Sequence, residues 1–511
     1  MTCATSADKG QVCAMRAAGD AKVEVESREI KYPNLVWTKF ERRAKPAPHL
    51  LPEVRFMIPP TRAHFLLASW MLLASCRYSY GHQAPALLAP TVSAEAVAAG
   101  SDEEDWSVHM QNTNTLQGHT KIRAPYSGTN SLNQAPQMRQ MISLDLLLGM
   151  RLWSGAEMHM DCLMWQGYGM SNALGVAGFP NGEAFRKGTS EPNANIVRAF
   201  IRQSFGFGSE MEDAPSGALY LKGKQHVNRL TFTLGRFSAK DIFDANAYAN
   251  DARTQFMNWS LMANGAWDYP ADTLGFTTGG AAELYLNSWA LRYGFFQVPN
   301  VSNGVALDPH IWKAWAQVVE LEHKHQIGGH PGAVRLLAYA NRAHMGSFQQ
   351  TLVNPVRPAD ITDSRAYRIK YGICLNADQE IVPGVGIFTR LGWSDGQSEP
   401  WSFTDVDSSG SLGLSIKGAA WNRPNDTVAI AGIVNRISKI HAAYLQQGGT
   451  GILVGDGTLS YAPEKIIETY YDVAVRGWLH VAFDYQLVFN PAYNRDRGPV
   501  NVFAVRLHWE F

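Results

Sequence analysis

Cysteine is scarce in this chain, with five among 511 residues. They form no CxxC pair and no Cys/His ligand spacing, so a structural zinc site is excluded. Net charge is missing as well. Forty-five basic and 45 acidic side chains cancel, which removes the electrostatic footprint of a nucleic-acid binder. No apolar run reaches the roughly 20 residues that a spanning helix needs, and a helical membrane protein is excluded. A membrane β-barrel is not, because its apolar face alternates with a polar one and hides from such a scan. Neither a Gly-x-Ser-x-Gly elbow nor a P-loop occurs, so acyl and phosphoryl transfer lack their usual nucleophile or phosphate cradle. Glu320 and Glu322 stand about 7 Å apart on one strand, without the contrasting environments an acid–base pair requires. No catalytic residue, metal or cofactor is expected.

What the chain does have begins at Met57. Arg62 precedes an apolar stretch from Phe65 to Ser75, the layout of an export signal too short to span as an anchor. Two exits are open: Leu73-Ala74-Ser75-Cys76 resembles a lipoprotein signal, and Ser79-Tyr80-Gly81 offers small residues for ordinary cleavage. The expected organisation is therefore an upstream extension without a fold (1–56), a signal peptide (57–81), an Ala/Pro/Glu-rich linker (82–105) and one large β domain (106–511).

Across that last domain, apolar and polar residues alternate with period two in blocks of about ten. Phe503, Val505, Leu507, Trp509 and Phe511 share one face, and Arg506, His508 and Glu510 the other. Val481, Phe483 and Tyr485 oppose Ala482, Asp484 and Gln486 in the same way. Sixteen such blocks, within about two, are counted from the sequence. Cys162 and Cys374 fall on opposite faces of such a wall, so no disulfide between them is expected.

Alternation also describes a soluble sandwich, and two features favour a barrel over it. The polar face carries ionised groups in nearly every block, Asp145, Arg151, Glu283, Arg390 and Asp472 among them. The connections alternate between short (154–155, 287–288, 477) and long (167–194, 238–277, 343–366, 436–465). That asymmetry predicts an all-β, antiparallel transmembrane barrel of about 16 strands, with short periplasmic turns and long extracellular loops. Sixteen strands leave an aqueous channel where eight would be filled by side chains. The competing expectation is a secreted β-sandwich that binds glycans without forming a channel.

Several stretches resemble the carbohydrate-selective porins of the OprB type. They are Ala124–Gly128 with Asn130–Leu132, Gly178–Ala184, Gly235–Leu261, Trp289–Pro299, Pro331–Gly346 and Asn490–Pro499. The resemblance runs from about 106 to 511. It implies a sixteen-stranded outer-membrane barrel that lets sugars diffuse into the periplasm, as a monomer or a homotrimer. The implied partners are carbohydrate solutes, outer-membrane lipid and lipopolysaccharide, and the assembly machinery that reads the terminal Phe511; nucleic acid is not among them.

A sugar pore needs flat apolar surfaces for the C–H faces of a pyranose and fixed donors and acceptors for its hydroxyls. Contacts must stay shallow enough for release. The 238–277 connection is the expected constriction: Asp241, Asp244, Asp251 and Arg253 supply charge, and Tyr248, Trp259 and Trp267 supply rings. On the wall, Arg198, Arg202 and Arg229 are expected to form a basic stripe opposite that loop, within pairing reach of Glu157 and Asp161. Trp165 and Trp267 are the expected stacking faces. The 167–194 connection, with Phe179, Glu183 and Arg186, is the next place for a filter.

Overall fold

The computed structural model describes residues 103–184, 188–354 and 356–511. The expected extension and signal, and almost all of the linker, lie outside them. The chain forms β1 (Trp106–His119), β2 (Gln137–Trp153), β3 (Ala156–Gly167) and β4 (Thr189–Gly206). A short hairpin follows, β5 (Met211–Ala214) with β6 (Gly223–His226). Then come β7 (Arg229–Phe237), β8 (Thr277–Leu286), β9 (Trp289–Phe296), β10 (Trp315–Ile327), β11 (His330–Met345) and β12 (Ala366–Val382). The chain ends with β13 (Val385–Ser394), β14 (Ser408–Gly418), β15 (Arg423–Arg436), β16 (Glu464–Arg476), β17 (Leu479–Phe489) and β18 (Val500–Glu510).

All strands except β5 and β6 join one closed antiparallel barrel, and β18 returns to pair with β1 from Gln111↔Glu510 to His119↔Val502. Sixteen strands therefore close the wall, and the two-sheet sandwich is excluded. The alternation fixes which side each residue takes. Phe483 and Phe503 are exposed on the outside, while Ala482, Asp484, Ala504 and Arg506 are buried inside. Tight turns join strands at one end; at Gly328-Gly329 both residues have positive φ, 61° and 83°, the geometry whose twist matches a two-residue hairpin. The other end carries the long loops. One connection breaks the pattern: 207–228, on the short-turn end, carries the β5–β6 hairpin that the sequence reading did not anticipate.

Two long loops, described over 168–184 and 238–276, fold into the barrel, and charged wall residues hold their backbones. Glu464 on β16 accepts the N–H groups of Ala177 and Gly178 at 2.9 and 2.8 Å. Glu468, four residues on, accepts those of Met257 and Asn258 at 2.5 and 3.0 Å. Glu320 on β10 accepts the Asp244 N–H at 2.8 Å. Arg390 on β13 donates to the Ala249 and Leu261 carbonyls, and Arg506 on β18 to those of Ala252 and Gln255. An irregular loop has no ladder of its own, so its buried amides and carbonyls must find partners elsewhere. Much of the ionised inner face is spent on that task rather than on wetting a lumen.

Candidate pore constriction and solute path

The inward loops meet β2, β3 and β4 in a compact set of ion pairs. Arg198 on β4 makes a bidentate pair with Asp241, Nε and Nη2 each 2.8 Å from a carboxylate oxygen, and its Nη1 lies 2.5 Å from Asp161 Oδ2. Arg253 reaches Glu183 Oε2 at 2.9 Å and Asp145 Oδ2 at 3.2 Å. Ser143 donates to the same Glu183 oxygen at 2.9 Å. Two arginines thus face four carboxylates drawn from two strands and both loops. Asp161 Oδ1 and Asp145 Oδ1 are buried and accept no hydrogen bond from the described residues. Each carboxylate is held through its other oxygen, Asp145 by Arg253 and Asp161 by Arg198.

On the far side of the 238–276 loop, Asp244 ties it to the opposite wall. Arg390 Nε lies 3.0 Å from its Oδ1, and Lys240 Nζ 3.6 Å from its Oδ2. Burial pushes the Asp244 carboxyl up, but Arg390 and Lys240 outweigh it and hold the group below its ordinary range. Arg390 already answers that charge, so Lys240 is the surplus cation. Burial drives its amine down to about 8, against the pull of Asp244.

Cavities flank the ion-pair set. One, of about 50 Å³, opens beside Gly182 and Ala184, the neighbours of Glu183, and is lined by Phe179, Trp259, Tyr269 and Phe403. These rings form a continuous array: Phe179 stacks on Trp259 at 5.5 Å, Trp259 lies 5.4 Å from Tyr269, and Tyr269 5.1 Å from Phe403. The other, of about 100 Å³, lies toward the short-turn end among Glu157, Arg202, Tyr220, Arg229, Glu283 and Tyr285. There Arg202 donates to Glu157 Oε1 and to the Leu219 carbonyl, both at 2.7 Å. Its guanidinium sits between the rings of Phe200 and Tyr220, at 5.2 and 4.4 Å.

The expected site residues distribute unevenly over this geometry. Arg198, Asp161 and Arg253 belong to the constriction. Arg202 and Glu157 lie one step nearer the short-turn end, under the β5–β6 hairpin. Arg229 lies there too, paired with Glu212 at 2.9 Å and over the Tyr285 ring. The three arginines therefore do not stand as an open stripe: Arg198 meets the loop through Asp241, and the hairpin connection covers the other two. Asp251 turns back on its own loop and accepts the Arg253 N–H. Neither proposed stacking tryptophan offers a face to a solute. Trp165 is 3% exposed, packed with Met141, Leu163, Val197 and Phe276, and Trp267 is fully buried, within ring contact of Phe243 and Tyr269. Arg186 lies outside the described residues. Tyr269 and Phe403 were missed, since nothing local marks them; they are brought together only by the packing of distant loops. Cys162 and Cys374 are both free.

A closed sixteen-stranded antiparallel barrel with an apolar outside, a charged inside and loops folded into its bore is the architecture of a porin. The chain belongs to the carbohydrate-selective porin, OprB family, whose pattern it matches over residues 129–511. Among solved structures, it is similar to the high-pH structure of Pseudomonas putida OprB, with a TM-score of 0.61 and 17% identity over 80% of this chain and 94% of that one. The low-pH structure of the same protein gives a TM-score of 0.44 at 13% identity, covering 80% and 93% of the two chains. No curated sequence matches the chain.

Proposed function

We infer that this porin sits in the outer membrane and lets neutral mono- or oligosaccharides diffuse passively into the periplasm. One observation supports the reading: an aromatic array at Phe179, Tyr269 and Phe403 lines a cavity beside Glu183, which belongs to a set of fixed carboxylates and guanidiniums. Rings offer stacking to the apolar faces of a pyranose, worth about 1 kcal/mol beyond area burial. The ion pairs offer hydroxyl partners, while their mutual pairing keeps any one free ion from being held tightly. Several shallow contacts in series suit a solute that must also leave. The gradient supplies the driving force.

Single-channel recording in a planar bilayer, with neutral sugars added as blockers, tests this. Concentration-dependent block by sugars, and little by size-matched linear polyols lacking a ring face, is the expected result. A channel that conducts ions but is blocked equally by both would overturn sugar selectivity.

A further inference from the structure

The outside of the barrel carries a hollow of about 390 Å³ that the pore does not explain. It lies across β14, β15 and β16, where two outward positions have no side chain. Gly410 stands opposite Val434, and Gly432 opposite both Leu412 and Ile467. A Cβ placed on Gly432 would meet nothing nearer than the Ile466 carbonyl oxygen at 3.9 Å, so the space is open. The walls are apolar, and Leu412 and Ile467 are among the exposed hydrophobic residues of the barrel.

Its long-loop end is cationic. Lys465 lines the hollow and stands opposite Val434, which makes Arg436 its diagonal neighbour at about 7–8 Å. Both side chains are exposed, and among the described residues neither makes a hydrogen bond or an ion pair. Exposed aromatic residues mark the same level: Phe489 opposite Lys465, and Trp393 opposite Ser408, which itself faces Arg436. Aromatic rings of this kind sit where acyl chains give way to headgroups. A larger hollow of about 880 Å³ across β15–β18, β1 and β2 has no lysine or arginine in its lining, so groove and cations do not coincide there.

We propose that the Gly410–Gly432 hollow seats an acyl chain of a phosphorylated glycolipid of the outer leaflet, of the lipid A type, whose phosphate pairs with Arg436 and Lys465. The apolar trough matches a tail and the two unpaired cations match a phosphate, at the depth where a lipid places each. A second copy of the barrel would instead bring its own apolar face against two unanswered charges.

Native mass spectrometry of the full barrel, exchanged into phosphatidylcholine nanodiscs with added diphosphoryl lipid A, tests the site. The parent should retain one lipid A per barrel, and retain dephosphorylated lipid A or phosphatidylglycerol at least ten-fold less. The double variant Arg436→Gln/Lys465→Gln should lose retention about ten-fold, and Gly432→Phe, which fills the trough, should do the same. Sugar block, measured in parallel, reports that each variant is folded. Should Gly432→Phe fail to fold, the double variant, which alters only exposed side chains, decides alone. Unchanged retention in the double variant would overturn the proposal. So would equal retention of phosphatidylglycerol, or a change in barrel–barrel association with lipid retention intact.

Discussion

At the scale of single residues, a place on the wall of the cavity beside Glu183 separates aromatic side chains such as Phe179 and Tyr269 from those that only hold the loop, such as Trp267. Phe179→Ala and Tyr269→Ala should weaken sugar block several-fold with ionic conductance nearly unchanged, since neither ring carries charge; equal block would place the stacking surface elsewhere. Trp267→Ala should act differently. It opens a cavity in the loop core, at a cost of about 3–5 kcal/mol, and should lower the urea midpoint in lipid vesicles. Lys240 adds a pH signature. Its amine lies near 8 in the folded chain and at 10.5 ordinarily, so between those values the unfolded state binds more protons. Stability should therefore rise as pH increases through that window and level off above it. Comparing urea midpoints at pH 7.5 and 9.5, the parent should gain relative to Lys240→Met; parallel shifts would mean that Lys240 titrates normally.

Among elements, the loops depend on wall carboxylates for their shape. Glu468→Leu removes the acceptor of two buried N–H groups, each costing about 1–3 kcal/mol when left unmade. The barrel should still close, because the substitution leaves the Glu468 backbone in its ladder with Ala431 and Gln486, but the constriction should loosen. The expected readout is a larger, noisier single-channel current with sugar block reduced; a quiet current of parental size would show that other contacts suffice. The 207–228 connection makes a separate prediction. Its Leu219 carbonyl and Tyr220 ring hold Arg202, so replacing the β5–β6 hairpin with a short Gly/Ser turn should raise conductance while leaving block at the Arg198–Asp241 constriction in place. Unaltered conductance would mean that the hairpin does not narrow the path.

For the whole molecule, closure of the barrel is the decisive event, and its seam lies between the first and last strands. Phe511 contributes there directly: its N–H donates to the Met110 carbonyl at 2.9 Å, and its ring stacks on Trp478 at 5.2 Å. Phe511→Ser should leave the chain exported but poorly inserted, measured as outer-membrane yield; normal yield would reduce the terminal aromatic series to an ordinary strand. The outward face makes an equally plain demand. Phe483→Arg would place a charge in lipid at a cost of about 2–4 kcal/mol near the midplane, whereas Phe483→Leu should fold with near-parental yield. Ala482 is a poor lumenal control for that pair. It sits on the inner face but is buried, opposite Asp472 and Arg506, so an arginine there has no room.

The sequence determined the wall. A period of two sends alternate side chains to opposite faces by geometry alone, so the block Phe503–Phe511 already specified strand and orientation, and the ionised groups on the polar face favoured closure over a sandwich. Loop lengths added which end was which. The loop interior was decided only by tertiary structure, because an irregular chain has no period and its side chains are sorted by what they pack against. Trp267 and Tyr269, two residues apart in a polar–aromatic stretch, look equivalent in sequence. One ends in the loop core and the other beside a cavity, according to how the loop lies across β10, β13 and β16. The same holds for charge. Glu468 reads as a lumenal carboxylate, and only the folded loop reveals that its oxygens are taken by the Met257 and Asn258 amides, while Asp145 and Asp161 are held by Arg253 and Arg198.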